Sequence, residues 1–188
     1  AFTGHKGTLG PTGTGGLYVG NRVTLAPWRE GGTGFEAASL SQPEELPFKL
    51  ESGTPNIVGI AGLRAGIEYV LSKGIQAIRT HEQKMIEKLI GALKGDTRFV
   101  LYGSTDIARK VGILSMNIKG FKPAEVGAIL DQSFEIAVRP GLHCAPFAHQ
   151  AMGTFPDGTV RISPGIFNTG EEIDQLIIAL KKIADERI

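Results

Sequence analysis

The sequence predicts an α/β fold, and three features of the chain carry this prediction. Short segments rich in β-branched residues alternate with longer segments in which apolar residues recur at helical spacing. Glycine and proline mark boundaries between these segments, such as Gly95 after one predicted helix and Pro123 at the start of the next. Hydrophobic residues make up 41% of the chain, which is enough to bury a sizeable core.

The first quarter of the chain predicts little regular structure. Residues 17–25 predict two short strands around a turn at Gly20-Asn21. Residues 26–50 have few periodic apolar positions and predict a long loop. Within this loop, residues 29–34 are interpreted either as a flap over a site or as a plain connector, and the sequence leaves both readings open.

From position 54 onwards, helices and strands alternate. Thr54 and Pro55 predict the start of a helix, with the Thr54 hydroxyl as its N-cap, and the apolar pattern continues to Leu71. The later predicted elements are a helix at about 75–94, strands at 99–102 and 113–118, a helix from Pro123, a strand at 136–138, a strand at 159–163 and a final helix with a capping box at 169–172.

Composition excludes several classes of protein. A net charge of +1 gives no strong field that would favour a nucleic acid or an anionic membrane as partner. No apolar run reaches the ~18 residues of a spanning helix, and no secretory signal is recognised. The single cysteine, Cys144, excludes an internal disulfide framework and favours a reducing, cytoplasmic location. The histidines show no metal-ligand spacing, so no metal site is predicted.

Lys6 is the first candidate functional residue. It lies in a glycine-rich segment between His5 and Thr8, and glycine allows the backbone to approach a ligand closely. A lysine amine can form a Schiff base with an aldehyde, while Thr3, His5 and nearby amides can bind a phosphate. The alternatives are a surface lysine beside a flexible loop or a plain phosphate-binding turn, although the P-loop pattern itself is absent.

Cys144 is the second candidate. Pro146 is typical of a first helical turn, which predicts Cys144 at or near a helix N-terminus, where a thiolate is favoured. Arg139 and His143 would strengthen that effect if their side chains point inward. The alternative is a buried structural cysteine, but the proline, glycine and histidine neighbours are more typical of a loop tip.

Arg161 is the third candidate, and it stands between Val160 and Ile162 on a predicted strand. A guanidinium group binds carboxylates through a bidentate fork. Taken by itself, the alternating pattern favours an ordinary outward-facing charge. The histidines at 81 and 149 lie on predicted helices and are interpreted as surface residues.

Several separated motifs together change these readings. They are TGHK at 3–6 with GPTGTGGLYV at 10–19, ESGTPN at 51–56, VRPGLHCAP at 138–146, VRIS at 160–163 and FNT at 167–169. In this order they resemble class V aminotransferase-fold enzymes, and within that group the cysteine desulfurase and selenocysteine lyase family. The resemblance covers essentially the whole chain and implies the C-terminal part of a fold type I transferase dependent on pyridoxal 5′-phosphate.

The resemblance implies a role for each candidate. Lys6 would be the covalent anchor of the cofactor, and Thr3 and His5 would contact its phosphate. Thr54 would reach the cofactor phosphate of a partner subunit, which implies a homodimer. Arg161, with Arg139 lining the same pocket, would bind the substrate carboxylate. Cys144 would take sulfur from L-cysteine as a persulfide, for delivery to a sulfur-acceptor protein and iron–sulfur cluster assembly.

The resemblance also implies a division of the chain. Residues 1–71 would be the remnant of the large cofactor-binding domain, and residues 72–188 the small C-terminal α/β domain. In this family, an aspartate and a histidine that grip the cofactor ring precede the lysine, and neither lies in this chain. We therefore expect the chain to be a C-terminal half that is inactive alone.

Three alternatives remain open at this point. The complete enzyme could be a selenocysteine lyase, or an aminotransferase in which Cys144 takes no part in the chemistry. A third reading is a stand-alone domain that binds a partner protein and has no catalytic activity.

Overall fold

The computed structural model of the chain describes residues 1–34 and 38–186. It confirms the α/β class. The contacts between residues divide the chain into two compact units, Ala1–Gly74 and Ile75–Ile188. Whether these units correspond to a large-domain remnant and a small domain stays a prediction.

The first unit has little regular structure before its helix. Strands β1 (Phe2–Thr3) and β2 (Gly15–Gly16) form a two-residue antiparallel pair, and helix α1 spans Ile57–Lys73. A single 3₁₀ turn lies at Phe48–Leu50. Apart from that turn, the described part of the predicted loop at 26–50 has no regular element.

The prediction of two strands within residues 17–25 is wrong. A turn does form there, since the Val23 amide donates to the Gly20 carbonyl at 3.0 Å, but the residues on either side are not paired as strands. Tyr18 and Val23 are 85% and 55% exposed. Because an isolated two-stranded hairpin is at best marginally stable in water, these residues gain no packing that would hold them as strands.

The predicted start of α1 is also wrong. Asn56, not Thr54, is the N-cap, because its side-chain oxygen accepts the Gly59 amide at 3.0 Å. Asparagine is among the strongest N-cap residues, so it takes the role that the sequence pattern gave to the threonine hydroxyl. Pro55 therefore precedes the helix instead of opening it, and its carbonyl accepts the Ile57 amide at 2.8 Å.

The second unit contains a four-stranded antiparallel sheet whose strands lie in the order Phe99–Tyr102, Leu114–Ile118, Thr159–Ile162 and Arg139–Gly141. Its elements lie close to their predicted bounds with one exception. They are α2 (Ile75–Leu93), β3 (Phe99–Tyr102), β4 (Leu114–Ile118), α3 (Pro123–Phe134), β5 (Arg139–Gly141), α4 (Pro146–Ala151), β6 (Thr159–Ile162) and α5 (Gly170–Asp185).

The two faces of this sheet differ in chemistry. Along β4, Leu114, Met116 and Ile118 are buried and share one core with residues of α2, α3 and α5. Ser115 and Asn117 point to the opposite face and are half-buried, as the two-residue period of a strand requires. Helices α2, α3 and α5 therefore cover the apolar face. The candidate site residues of this unit lie on the side of the polar face.

The exception among the predicted strands is the one at residues 136–138, since the paired strand is β5 at 139–141. Arg139 lies opposite Arg161, and continuing this register would place Ile136 opposite Pro164. Proline has no amide hydrogen to donate, so the ladder ends before it. A cavity of about 290 Å³ is lined by residues of both segments, 135–138 and 162–164, where the strands have separated.

The final helix begins as its sequence predicts. The Thr169 side chain accepts the Glu172 amide, and the Glu172 carboxylate accepts the Thr169 amide at 2.9 Å. This reciprocal pair is a capping box, which satisfies two amides that helix formation leaves without partners.

Candidate active site

Lys6 lies on a tight turn between β1 and β2. The Lys6 carbonyl accepts the Leu9 amide at 2.9 Å, and the Gly4 carbonyl accepts both the Gly10 amide at 2.7 Å and the Thr8 hydroxyl at 2.8 Å. Gly4 is buried while Lys6 is exposed, so the turn presents the amine outward from a fixed backbone. Nearby, the Thr3 hydroxyl and His5 Nδ1 are 3.2 Å apart, which brings the two predicted phosphate contacts together.

Glycines of α1 hold this turn against the helix. A Cβ on Gly66 would collide with the Thr8 carbonyl oxygen and lie 2.9 Å from the Leu9 oxygen. A Cβ on Gly62 would lie 2.7 Å from the Pro11 ring. The two glycines are four residues apart and so share one face of the helix. Because these glycines have no side chains, the backbone of the segment that follows Lys6 lies directly against this face of α1, and this contact fixes the position of the segment.

Thr54 is exposed and lies next to a cavity of about 330 Å³. This cavity brings the glycine-rich segment 13–15 together with Thr33 and with the neighbours of Thr54 in sequence, Gly53 and Pro55. The segment 29–34 is tied to this motif, because the Gly32 carbonyl accepts the Gly53 amide at 2.7 Å. Its role as a flap stays a prediction, and residues 35–37 of the predicted loop lie outside the described residues.

In the second unit, four polar residues form one row across the polar face of the sheet. Tyr102 lies opposite Ser115, Ser115 opposite Arg161, and Arg161 opposite Arg139. The row therefore contains both predicted substrate-binding arginines. It was not visible in the sequence, because the positions of Tyr102 and Ser115 depend on the strand register.

Arg161 lines a cavity of about 300 Å³ above this row. The other lining residues come from the sheet, the loop after β5 and the region of α4: Tyr102, Ser115, His143, Ala145, Ala148, His149, Met152, Thr154 and Thr159. Arg161 Nε and the Thr159 hydroxyl are buried and have no hydrogen-bond partner among the described residues. Buried polar atoms are nearly always paired in proteins, so these two atoms mark a place where a polar ligand or water can bind.

Cys144 lies at the tip of the loop between β5 and α4. It is an exposed free thiol, and its neighbours in sequence on both sides, His143 and Ala145, line the cavity of Arg161. The predicted loop tip is therefore confirmed. The residue immediately before the helix is Ala145, and α4 has only six residues, so Cys144 stands one position further from the helix than an N-cap.

His143 and His149 form a pair beside the cysteine. Their ring centroids are 5.5 Å apart, and His149 Nδ1 lies 2.7 Å from the Thr154 hydroxyl. The expectation that His149 is a surface residue is wrong, since it is 8% exposed. His81 is half-buried and contacts the Asn168 carbonyl at 2.9 Å, so it is not a plain surface residue either.

The environment of His143 favours its neutral form. Burial is the main cause that lowers its pKa, and the positive charges of Arg161 and Arg139 lower it further, against a backbone hydrogen bond that raises it. His143 Nε2 donates to the Arg139 carbonyl at 2.7 Å, because a carbonyl can only accept. In the neutral ring, Nδ1 is then the unprotonated nitrogen.

The candidate residues thus fall into two groups, one in each unit. Thr3, His5, Lys6 and Thr54 belong to the first unit, and Arg139, Cys144 and Arg161 to the second. Sequence reasoning missed Tyr102, Ser115, Thr159 and the buried His149. Across residues 1–34 and 38–186, the structure brings together no group of three His, Cys, Asp or Glu side chains suited to a metal ion. No helix in the same ranges is both long enough and apolar enough to cross a bilayer.

Comparison with known proteins gives consistent matches. Residues 1–176 match the family model for aminotransferase class V. A probable cysteine desulfurase of Methanothermobacter thermautotrophicus is 42% identical over 98% of this chain, and a cysteine desulfurase of Klebsiella pneumoniae is 36% identical over 97%. Among solved structures, the apo cysteine desulfurase of Thermococcus onnurineus NA1 superposes with a TM-score of 0.90 at 34% identity over 98% of this chain.

The matches share one further property. This chain spans 47% and 44% of the two sequence relatives and 46% of the solved Thermococcus chain. It therefore covers about half the length of the proteins it resembles.

Proposed function

The chain belongs to the aminotransferase class V family, and we propose that it forms part of a pyridoxal 5′-phosphate-dependent cysteine desulfurase. In this proposal the complete enzyme converts L-cysteine to alanine and leaves the sulfur on Cys144 as a persulfide. Identities of 36–42% to cysteine desulfurases across nearly the whole chain support the assignment.

The residues of the first unit fit the cofactor. Its aldehyde requires an accessible amine, and the Lys6 side chain is exposed on a turn whose backbone is fixed by hydrogen bonds. Its phosphate requires donors, and the Thr3 hydroxyl and the His5 ring lie side by side. When bound, the cofactor supplies an electron-withdrawing ring that stabilises negative charge next to the substrate amino group.

The side chains of this chain would then share the remaining tasks. Lys6 would anchor the cofactor and, once its amine is released by the substrate, move a proton at the substrate Cα. The Arg161 guanidinium would hold the substrate carboxylate, with Nε among its donors. The Cys144 thiolate would bond to the substrate sulfur, and the net change is transfer of one sulfur atom from L-cysteine to Cys144.

The observation that carries the proposal is the placement of Cys144. It is an exposed thiol flanked by two residues that line the cavity of Arg161. A cysteine in this position favours sulfur transfer over a transamination in which no thiol takes part. A selenocysteine lyase would use the same groups and is separated from a desulfurase by its substrate.

Further parts of the proposal follow the family resemblance. We propose that the complete enzyme is a cytoplasmic homodimer in which Thr54 contacts the cofactor phosphate of the partner subunit. We also propose that a sulfur-acceptor protein removes the persulfide sulfur, for use in iron–sulfur cluster assembly. The exposure of both Thr54 and Cys144 is compatible with these roles.

The test uses the full-length enzyme supplied with L-cysteine. Without a reductant we expect alanine and enzyme persulfide in equal amounts, and with an added thiol that reduces the persulfide we expect alanine and sulfide in equal amounts. The bound cofactor should give visible absorbance. Lys6→Ala should abolish that absorbance and all turnover, whereas Lys84→Ala, which alters an exposed lysine of α2, should leave both unchanged.

Cys144→Ser gives the second arm of the test. It should retain the cofactor absorbance and lose persulfide formation, because the acceptor of the sulfur is removed while the Lys6 site is intact. Full alanine and sulfide production by Cys144→Ser would refute the role of this cysteine. Release of a keto acid in place of alanine would identify an aminotransferase instead.

A further inference from the structure

The loop that carries Cys144 has an unusual backbone. His143 and Cys144 adopt successive left-handed conformations with φ of 54° and 58°. Residues other than glycine rarely adopt this backbone conformation, and they keep it only when the surrounding structure imposes it. Two such residues in sequence, one of them the candidate nucleophile, therefore require specific restraints.

The first restraint is a hydrogen bond from His143 back to the strand. Its Nε2 donates to the Arg139 carbonyl at 2.7 Å and closes a loop of five residues. The Ala145 amide donates to the Leu142 carbonyl at 2.9 Å, which forms a turn around His143 and Cys144. The imidazole of His143 thus ties the tip of the loop to β5.

The second restraint is the contact between Gly141 and Gly158. A Cβ placed on Gly158 would overlap the carbonyl group of Gly141. Gly158 also has a φ of 80°, so glycine is required there for two reasons. The close approach brings the start of the Cys144 loop directly against the residue that precedes β6.

Two hydrogen bonds anchor the backbone of Gly158. Its amide donates to the Thr154 carbonyl at 2.7 Å, and its carbonyl accepts Asn117 Nδ2 at 3.2 Å. Asn117 belongs to the central strand β4, which places it in the sheet itself. A side chain added at Gly158 would therefore press on Gly141, the last residue of β5, from which the Cys144 loop continues.

The loop cannot retreat freely from the opposite side either. The ring of Pro140 packs into the space left by the missing side chain of Gly127 in α3, where a Cβ would lie 2.8 Å from the Pro140 Cγ. Strand β5 is therefore confined between α3 and Gly158.

We propose that Gly158 and His143 are positioning residues that hold Cys144 in its left-handed conformation. They fix the direction from which the thiol meets the substrate; this consequence, though not the restraint itself, rests on the proposed desulfurase function. Neither residue is required to touch the reacting atoms for this role.

The first test compares two glycine substitutions in the full-length enzyme. Gly158→Ala adds a methyl group that collides with Gly141, whereas Gly153→Ala is the matched control, with a φ of 67° and no heavy atom within 4 Å of its Cβ. We expect amide hydrogen exchange of the peptide covering 141–147 to be about tenfold faster in Gly158→Ala and unchanged in Gly153→Ala. Equal exchange in the two variants would overturn the role of Gly158.

The second test uses His143 and adds no atoms to the contact with Gly158, so it decides the matter even if Gly158→Ala does not fold. His143→Leu removes the donor to the Arg139 carbonyl, and His143→Gln keeps an amide donor. Faster exchange of the loop in His143→Leu, with partial restoration in His143→Gln, is the expected result. Equal behaviour of these two variants would overturn the hydrogen-bond restraint.

Kinetics separate a positioning role from a general loss of stability. In Gly158→Ala and His143→Leu we expect kcat for persulfide formation to fall about tenfold or more, since small misplacement of a reacting group is costly. In Gly158→Ala, KM for L-cysteine should stay within about twofold, because Gly158 is not among the residues that line the cavity of Arg161. Both variants should retain the cofactor absorbance, because Lys6 is untouched. Faster loop exchange with unchanged kcat would overturn the link between the restraint and catalysis.

The two proposals fail in different ways. If the unsubstituted enzyme does not form alanine from L-cysteine, the proposed function is wrong, but hydrogen exchange still decides whether Gly158 and His143 restrain the loop. If turnover is normal and exchange is insensitive to both substitutions, the positioning proposal is wrong and the proposed function stands.

Discussion

The two units of the chain differ in how they bury apolar surface. In the second unit, α2 and α5 bury five and six residues against the sheet, and side chains such as Leu89 and Leu180 are fully enclosed. In the first unit, α1 buries only Gly59 and Leu63, while Ile57 and Val58 are 68% and 85% exposed. The second unit has a core of its own, whereas the described residues of the first unit, 1–34 and 38–74, form none.

This difference separates two ways of building a site. Arg139 and Arg161 of the second unit lie on a sheet whose other face is anchored in a core. Lys6 of the first unit lies on a turn held by backbone hydrogen bonds and by glycine contacts with a single helix. In the second unit, the geometry of the candidate site therefore depends on the same packed core that stabilises the unit. In the first unit, it depends mainly on local backbone contacts.

The largest expected effect is on independent folding. Residues 75–188 expressed alone should unfold cooperatively on heating, because their core lies within the unit. Residues 1–74 alone should show no cooperative transition, because they bury too little apolar surface to offset the loss of chain entropy. Circular dichroism as a function of temperature measures both transitions. A sharp transition in residues 1–74 would show that the first unit is stabilised by a core of its own.

A smaller but still large effect is expected from core truncation. Leu89→Ala in residues 75–188 should lower the free energy of unfolding by about 2–5 kcal/mol, since this side chain has no exposed surface. Leu71→Ala in the whole chain, at a position 63% exposed, should change it by less than about 0.5 kcal/mol. Urea denaturation gives both free energies of unfolding. Similar losses at the two positions would show that α1 is packed as tightly as α2.

The glycine contacts of α1 provide a third test. Gly66→Ala should destabilise the first unit by about 1–3 kcal/mol and displace the lysine turn, because its methyl group collides with the Thr8 carbonyl. Gly91→Ala is the matched substitution in α2, where no heavy atom lies within 4 Å of the added Cβ. It should stabilise the chain by about 0.5–1 kcal/mol through helix propensity.

Both substitutions can be measured by urea denaturation, and the turn by cofactor retention in the full-length enzyme. We expect cofactor loss on dialysis to be faster in Gly66→Ala alone. Equal retention in the two variants would mean that the helix contact does not fix the position of Lys6.

The pH dependence of the second unit should reflect His143. Its pKa in the folded state lies below the unfolded value near 6.5, mainly because of burial. The unfolded state therefore binds more protons, and stability is lost as the pH falls below that value. His143→Gln should show a weaker loss of stability between about pH 7 and pH 5 in urea denaturation. An unchanged slope would contradict the assignment of a depressed pKa.

The smallest effect is expected at Asp96, on the surface of the second unit. Hydrogen bonds from the Arg98 side chain and backbone lower its pKa from 3.8 to about 2. This stabilisation is present above the unfolded pKa and is lost as the pH falls towards the folded one. Asp96→Asn should therefore be slightly less stable at neutral pH, and the difference should disappear in acid. A difference that persists in acid would point to packing rather than charge.

Much of the fold follows from local patterns in the sequence. The periodicity of α2, the alternation of β4 and the capping box of α5 specify each element through neighbours a few residues away. The wrong predictions concern element boundaries that a competing contact determines. Asn56 takes the cap predicted for Thr54. In the register of β5, a proline would lie opposite Ile136, within the segment that was predicted as a strand.

The site was predicted less completely than the fold. Lys6, Cys144 and Arg161 could be named as candidates because each belongs to a distinctive motif, and their roles stay predictions. Tyr102 and Ser115 belong to no motif, and only strand register places them in a row with Arg161. The burial of His149 depends in the same way on its contact with Thr154.

The sequence by itself determined the class of fold, the order of its elements and the residue types available for chemistry, because helix and strand patterns act over short separations along the chain. The tertiary structure decided which of those residues share a cavity, that Gly141 touches Gly158, and that Cys144 stands in a left-handed conformation. These features depend on contacts between residues far apart in sequence, such as Asn117 with Gly158, and no local pattern encodes them.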